Sequence, residues 1–247
     1  MIRQAIILAA ELGERQRPLT ETLPQALLPI DGKPIITHLL DRLAAYGVAR
    51  AIVSLHHHRA VLEAHLRGHA GLPRIEMLAE REPIADGLAA AHALARLPRE
   101  PFFLLGSTAL WLDGLLPTLA RLAAAWDDAR MDAVLLLQAT VTAHGYDGPG
   151  EYFLDPAGRA RRRRGGEIAS HVFAGVALAH PRCFDASPTE SFPLAQSFDR
   201  CAESGRLWGI AHDGLWFKIA TPAAAADTEI ALGYRPMPAA TAETLTR

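Results

Sequence analysis

The residues best suited to chemistry lie near the start of the chain, in LAAELGERQRPLTETLPQALLPIDGKPII, from Leu8 to Ile36. An apolar run ends there in a loop carrying Gly13 and Arg15, followed by Pro18-Leu19-Thr20 and a second proline-bounded turn. A glycine in such a loop lets backbone N–H groups come close to an anion and tolerates a positive φ; an arginine beside it adds charge and a forked donor. This pattern suits the holding of phosphate oxygens. Arg17 fits a solvated charged loop equally well. His56-His57-His58 stands at a strand-to-helix junction, where three adjacent imidazoles cannot converge on one ion, so it reads as surface or capping histidines. No serine or cysteine nucleophile arrangement stands out.

Holding such a loop requires a layered scaffold, and the chain supplies one. Short apolar runs alternate with amphipathic stretches, the pattern of strands joined by crossover helices in a mainly parallel α/β sheet. Strands are expected near Gln4–Ala10, Arg50–Leu55, Arg74–Leu78, Pro101–Leu105 and Asp132–Gln138. Helices are expected over Pro34–Tyr46, His57–Arg67, Gly87–Leu97 and Leu115–Trp126. The first of these sets Ile36, Leu39, Leu40 and Leu43 on one stripe and ends at Gly47; the last repeats the stripe with Leu116, Leu119 and Leu122, with Asp113 as its N-cap. After Gln138 the pieces are shorter and β-like: Glu151–Leu154, a turn at 155–158, and His171–Ala179, read as a smaller β-rich layer. A helix over Phe192–Ser204, a strand near Arg206–His212 and a helix over Pro222–Leu232 follow, with a frayed tail from Arg235.

Composition narrows the partners. The 247 residues carry 25 Lys and Arg against 27 Asp and Glu, a formal charge of −2, so no overall field draws the chain to nucleic acid or an anionic membrane. No apolar run approaches the roughly 20 residues that span a bilayer. The N-terminal MIRQAIILAA is read as a first strand because it runs straight into charge, and two cysteines, Cys183 and Cys201, fit a reducing, cytoplasmic compartment.

The order of the Leu8–Ile36 segment, Leu27–Lys33, Tyr146-Asp147-Gly148, Phe173-Ala174-Gly175 before His180-Pro181, and Gly214–Pro222 resembles the sugar-1-phosphate nucleotidyltransferase (sugar-nucleotide pyrophosphorylase) family over nearly the whole chain. Within it the chain looks most like the small bacterial uridylyltransferases acting on N-acetylmuramic acid 1-phosphate or a related sugar phosphate. The resemblance implies a Rossmann-like nucleotide-diphospho-sugar transferase fold in one domain over 1–235, with a nucleotide-binding half at 1–138, a sugar-binding half at 139–235 and a tail at 236–247. It implies UTP or another NTP and a sugar 1-phosphate as ligands, with Mg²⁺ if the chain is active, and it leaves room for a homo-oligomer or a partner protein. It places nucleotide contacts at Leu8, Ala9, Ala10, Glu11, Gly13, Arg15, Gln25, Asp86 and Gly87, and substrate contacts at Thr108, Trp111 and Gly175. Arg15 and Lys218 are the catalytic candidates.

Five departures from the family pattern, at Glu11, Gln25, Ala85, Thr108 and Lys218, weaken phosphate, metal or substrate contact. Glu11 stands where the family has Gly, adding bulk, disfavouring a left-handed backbone and aiming a carboxylate at the phosphates. Gln25-Ala26 replaces Lys-Pro, and Ala85-Asp86-Gly87-Leu88 replaces Glu-Thr-Gly-Gly. Thr108, with Ser107 as the alternative register, and Lys218 occupy the two metal-holding Asp positions, so neither supplies the anionic oxygen a hard cation wants. Ala220 also replaces a turn Gly. The five losses act against one charged ligand and favour a chain with weak or no turnover, in a binding or regulatory role; the alternative is an active Mg²⁺-dependent uridylyltransferase. Arg161–Arg164 reads as a solvated hairpin edge, with a sugar phosphate or partner contact as the lesser reading.

Overall fold

A computed structural model describes residues 1–233; the stretch from Arg235, where fraying is expected from the sequence, and the 236–247 tail lie outside the described residues. In the first half β1 (Gln4–Ala9) leads through the 10–28 loop to a small hairpin of β2 (Pro29–Ile30) and β3 (Lys33–Pro34), then α1 (Ile35–Tyr46), β4 (Arg50–Leu55), α2 (Arg59–Arg67), β5 (Arg74–Ala79), α3 (Asp86–Leu94), β6 (Phe102–Gly106), β7 (Ala109–Leu112), α4 (Thr118–Ala125) and β8 (Ala133–Ala139). The second half adds β9 (Ala143–His144), β10 (Tyr152–Leu154), β11 (Ala160–Arg162), β12 (His171–Ala179), α5 (Leu194–Glu203), β13 (Leu207–Ala211), β14 (Leu215–Lys218) and α6 (Pro222–Ala231).

Nine strands form one mixed sheet. Its β6-β1-β4-β5 run is parallel, as the alternating pattern predicts, and β12 joins it antiparallel to β6 and then to β8, which pairs parallel with β13. Successive strand side chains point to opposite faces, so β1 sends Ala5, Ile7 and Ala9 into a core closed by α1, α2 and α4, and Ile6 and Leu8 into one closed by α3 and α5. Ile6 and Ile7, wholly removed from water, contribute about 1.5–3 kcal/mol each, and the alanines less. The pieces at 151–154 and 171–179 run in this main sheet, with β10 and β11 at its edge; the smaller β layer is the three-stranded sheet β7-β14-β9. That sheet is built from both halves of the chain.

Helix starts differ from the periodic reading where backbone conformation intervenes. His58 takes a left-handed φ of 48°, so α2 begins after it. Leu115 and Leu116 are exposed rather than part of a buried stripe, and α4 begins at Thr118. Asp113 still serves that helix, accepting Thr118 N–H at 2.9 Å across the intervening turn.

Candidate functional site

The parallel strands β1 and β6 end beside each other, and the loop after β1 turns over them. Its conformation rests on Gly13, whose φ of 63° is left-handed and whose missing Cβ would stand 2.8 Å from Thr20 Cγ2. Thr20 clamps the turn, its Oγ1 donating to Gly13 O at 2.7 Å. Glu11 is not left-handed: Asp31 and His58 are the non-glycine residues with positive φ among those described. The expected backbone conflict at Glu11 is therefore absent, because the turn places its left-handed residue two positions later; Ala220 likewise has no positive φ. What Glu11 brings is its charge.

Two cavities open at this loop. The larger, about 910 Å³, runs from Leu8 and Glu11 past Thr108 and Lys218 to Gly175, Phe198 and Arg162–Arg164 at the end of β11. The smaller, about 390 Å³, lies under the loop between Glu11, Gly13, Arg15, Gln25 and Thr108. Glu11 and Thr108 line both and so form the neck between them. Burial at this neck raises the Glu11 carboxyl above its usual range even though the side chain keeps solvent contact. Nearby Lys218 opposes the shift, Asp86 reinforces it and Arg15 opposes it.

Thr108 and Lys218 meet because β7 and β14 pair antiparallel, with Lys218 opposite Ala109, and because Ile219 N–H donates to Thr108 O at 3.0 Å. Ser107 is 1% exposed and lines neither cavity, so Thr108, not the alternative register, faces the site. Gln25 is buried, and its amide donates to Ile219 O at 3.3 Å; Gln16, unremarked in the sequence, donates to the same carbonyl. Both amides tie the loop to the end of β14.

The other sequence candidates divide. Leu8, Asp86 and Gly175 line the larger cavity, and Arg15 the smaller. Asp86 is also a strut, its Oδ1 accepting Gly87 N–H at 3.0 Å and Leu194 N–H at 2.7 Å, which joins the starts of α3 and α5. Ala9, Ala10 and Gly87 line neither cavity; Gly87 is buried where a Cβ would stand 2.5 Å from the Phe192 ring. Trp111 is a correction. It is 1% exposed in the core, its indole N–H donating to Asp113 at 3.1 Å and the Arg42 guanidinium lying 4.7 Å from its ring, and it lines neither cavity. His57 and His58 each place Nε2 at 3.2 Å from Thr20 O, packing against the first loop.

The sequence reading underweighted the basic run. Arg162, the last residue of β11, and Arg163 and Arg164 beyond it form part of the wall of the larger cavity, which Lys218 also lines. Four charges beside Gly165-Gly166 were the signal. Glu151, Tyr152 and Phe198 also line the cavity, and no local pattern marks them.

Comparison with known proteins fits this geometry. The nucleotidyl transferase family model matches residues 4–146. The chain is 39% identical over 224 residues to N-acetylmuramate alpha-1-phosphate uridylyltransferase of Caulobacter vibrioides, covering 89% of this chain and 93% of that protein. The chain belongs to the sugar-1-phosphate nucleotidyltransferase family. Solved structures share its fold: UDP-glucose pyrophosphorylase in complex with UDP-glucose superposes with a TM-score of 0.78 at 14% identity, covering 94% of this chain and 99% of that one. UDP-glucose pyrophosphorylase from Acinetobacter baumanii gives 0.78 at 15% identity, covering 94% of each.

Membership makes magnesium the cofactor to test against these residues. The two positions that the family resemblance assigns to metal-bound Asp hold a neutral hydroxyl and an ammonium, and both line the larger cavity. Among the described residues no three His, Cys, Asp or Glu side chains gather closely enough to hold a metal ion. The donor set at the neck does not fit Mg²⁺. No helix among those residues is long and apolar enough to cross a membrane.

Proposed function

We propose that this member of the family binds a phosphorylated ligand with weak or no nucleotidyl transfer, in a binding or regulatory role. The observation that carries the reading is that Thr108 and Lys218 line one cavity, Lys218 pairing with Ala109 next to Thr108, which sets a cation where a divalent ion would need carboxylates. Glu11 adds an anion at the neck where triphosphate oxygens would pass. Phosphoryl transfer depends on positioning and on neutralising charge, and both are weakened by these exchanges. Gln25, held by Ile219 O, supplies no cation in compensation. The division into a nucleotide-binding half at 1–138 and a sugar-binding half at 139–235 belongs to the same proposal, as does a cytoplasmic location.

The intact Gly13 turn and Arg15 favour a second reading, Mg²⁺-dependent transfer of a uridylyl group from UTP to a sugar 1-phosphate such as that named for the Caulobacter relative. Pyrophosphate release separates the two. With UTP, Mg²⁺ and N-acetylmuramate α-1-phosphate or glucose 1-phosphate, the proposal expects no steady release above a protein-free control; release in proportion to protein concentration establishes the second reading.

A further inference from the structure

The chain has two cysteines, and the fold puts them together. Cys183 stands on the single turn Pro181–Phe184 that follows β12, and Cys201 lies near the end of α5. Their Sγ atoms are 2.9 Å apart, the Cys201 thiol donating to Cys183. Both residues are 3% exposed, in the core that α3 and α5 close, and both are free thiols. Cysteines that served only as small apolar side chains would have no need to meet. Here, among the described residues, each thiol has the other as its hydrogen-bonding partner. The two sulfurs need move only a short way to bond.

We infer that Cys183 and Cys201 are a redox modification site, closing a reversible intrachain disulfide when a peroxide oxidises them. One thiolate attacks a peroxide oxygen; the O–O bond breaks, hydroxide leaves and takes up a proton, and the cysteine becomes a sulfenic acid. The second sulfur then displaces hydroxide from the sulfenyl sulfur, and its proton completes a further water. The two thiols are oxidised and hydrogen peroxide is reduced to water, with no electron or proton left over. A small oxidant suits a buried pair. The connection at 185–191 is exposed except for half-buried Ser187, so local opening there admits it. The hydrogen bond with Cys201, and then burial, raise the Cys183 thiol well above its ordinary range, which keeps it protonated and slow to react until such an opening. In a reducing compartment a bond of this kind is transient. Its structural effect falls on α5. The start of that helix is already held by Asp86, which accepts Leu194 N–H at 2.7 Å, and the disulfide fixes its other end to the turn after β12. Phe198, between these two ties, lines the larger cavity, so oxidation restrains that wall from behind.

Intact-mass analysis and peptide mapping of the 247-residue chain, before and after treatment with hydrogen peroxide, test this. The main product should be a single chain with its Cys183 and Cys201 peptides joined, lighter at that pair by two hydrogen atoms, without free thiol after denaturation and fully restored by dithiothreitol. The cross-link joins residues 18 apart and constrains the unfolded chain. The unfolding equilibrium constant in chemical denaturation should therefore fall by about a hundredfold on oxidation and recover on reduction. Cys183→Ser and Cys201→Ser should each abolish both the joined peptides and the stability gain; Cys183→Ala and Cys201→Ala serve if the serine variants do not melt cooperatively. Sulfinic acid on either cysteine, a disulfide-linked dimer, or two thiols left intact as the main product overturns the inference, and so does a cross-linked chain no more stable than the reduced one.

Discussion

Restoring carboxylates at the neck should turn it into a magnesium site. The perturbation is the triple change Glu11→Gly, Thr108→Asp and Lys218→Asp, and the β7–β14 pairing says why it should act as a unit: Lys218 pairs with Ala109, the neighbour of Thr108, and both positions line the same cavity. Replacing a hydroxyl and an ammonium by two carboxylates adds about three negative charge units and removing Glu11 takes one away, so the neck becomes about two units more negative. At about 4 Å and the dielectric constant of bulk water, each unit alters the energy of a divalent cation by roughly 2 kcal/mol, so the electrostatic gain is about 4 kcal/mol. That corresponds to about three orders of magnitude in affinity, and the water value sets the low end for a partly buried neck. Removing Glu11 clears an anion from the path between the cavities. Thermal unfolding across a magnesium titration, with and without UTP, reads the result: the triple variant should gain stability with Mg²⁺ and the parent chain should not. Ser107→Asp is the control, since Ser107 is buried and a carboxylate there should destabilise the fold without creating a magnesium response. A cooperatively melting triple variant that responds to magnesium no better than the parent refutes the placement of these residues at a metal position.

Gly13→Ala should destabilise the chain by about 1–3 kcal/mol, from a left-handed φ and the 2.8 Å approach to Thr20, measured by chemical denaturation; a change within experimental error contradicts the turn described here. Asp132 is drawn upward by burial, but hydrogen bonds from Arg206 and Arg182 outweigh this and hold its carboxyl below the usual range. Its contribution is therefore present above its unfolded-state pKa and lost as pH falls through the lower folded value; Asp132→Asn should cost about 2 kcal/mol at neutral pH, and parent and variant should converge in acid. Glu11 has the opposite sign: because burial raises its carboxyl, ionising it opposes folding, so Glu11→Gln should raise the melting temperature at neutral pH, and the gain should vanish below the ordinary glutamate range. A gain that persists unchanged at low pH argues for a cause other than ionisation.

Residue type and periodicity alone determined much of this protein. The alternation of apolar runs and amphipathic stretches gave the parallel β6-β1-β4-β5 run and the helices that cover it, because which face a side chain takes is set by local repeat. Gly13 and Arg15 marked the loop because few other residues allow its turn and charge. Chemical identity at positions 11, 108 and 218 was legible too, but its meaning depended on who stands beside whom. The tertiary structure decided that Thr108 rather than Ser107 lines the cavity and that Trp111 is buried, because the turn between β6 and β7 packs Ser107 inside and Trp111 lies in the core among side chains from distant segments. It also moved the left-handed position from residue 11 to Gly13, and it carried Arg162–Arg164 from a sheet edge to the cavity wall. Strand pairings between segments far apart in the chain are fixed by the total burial of both faces, not by any local signal, and this site is assembled from such pairings.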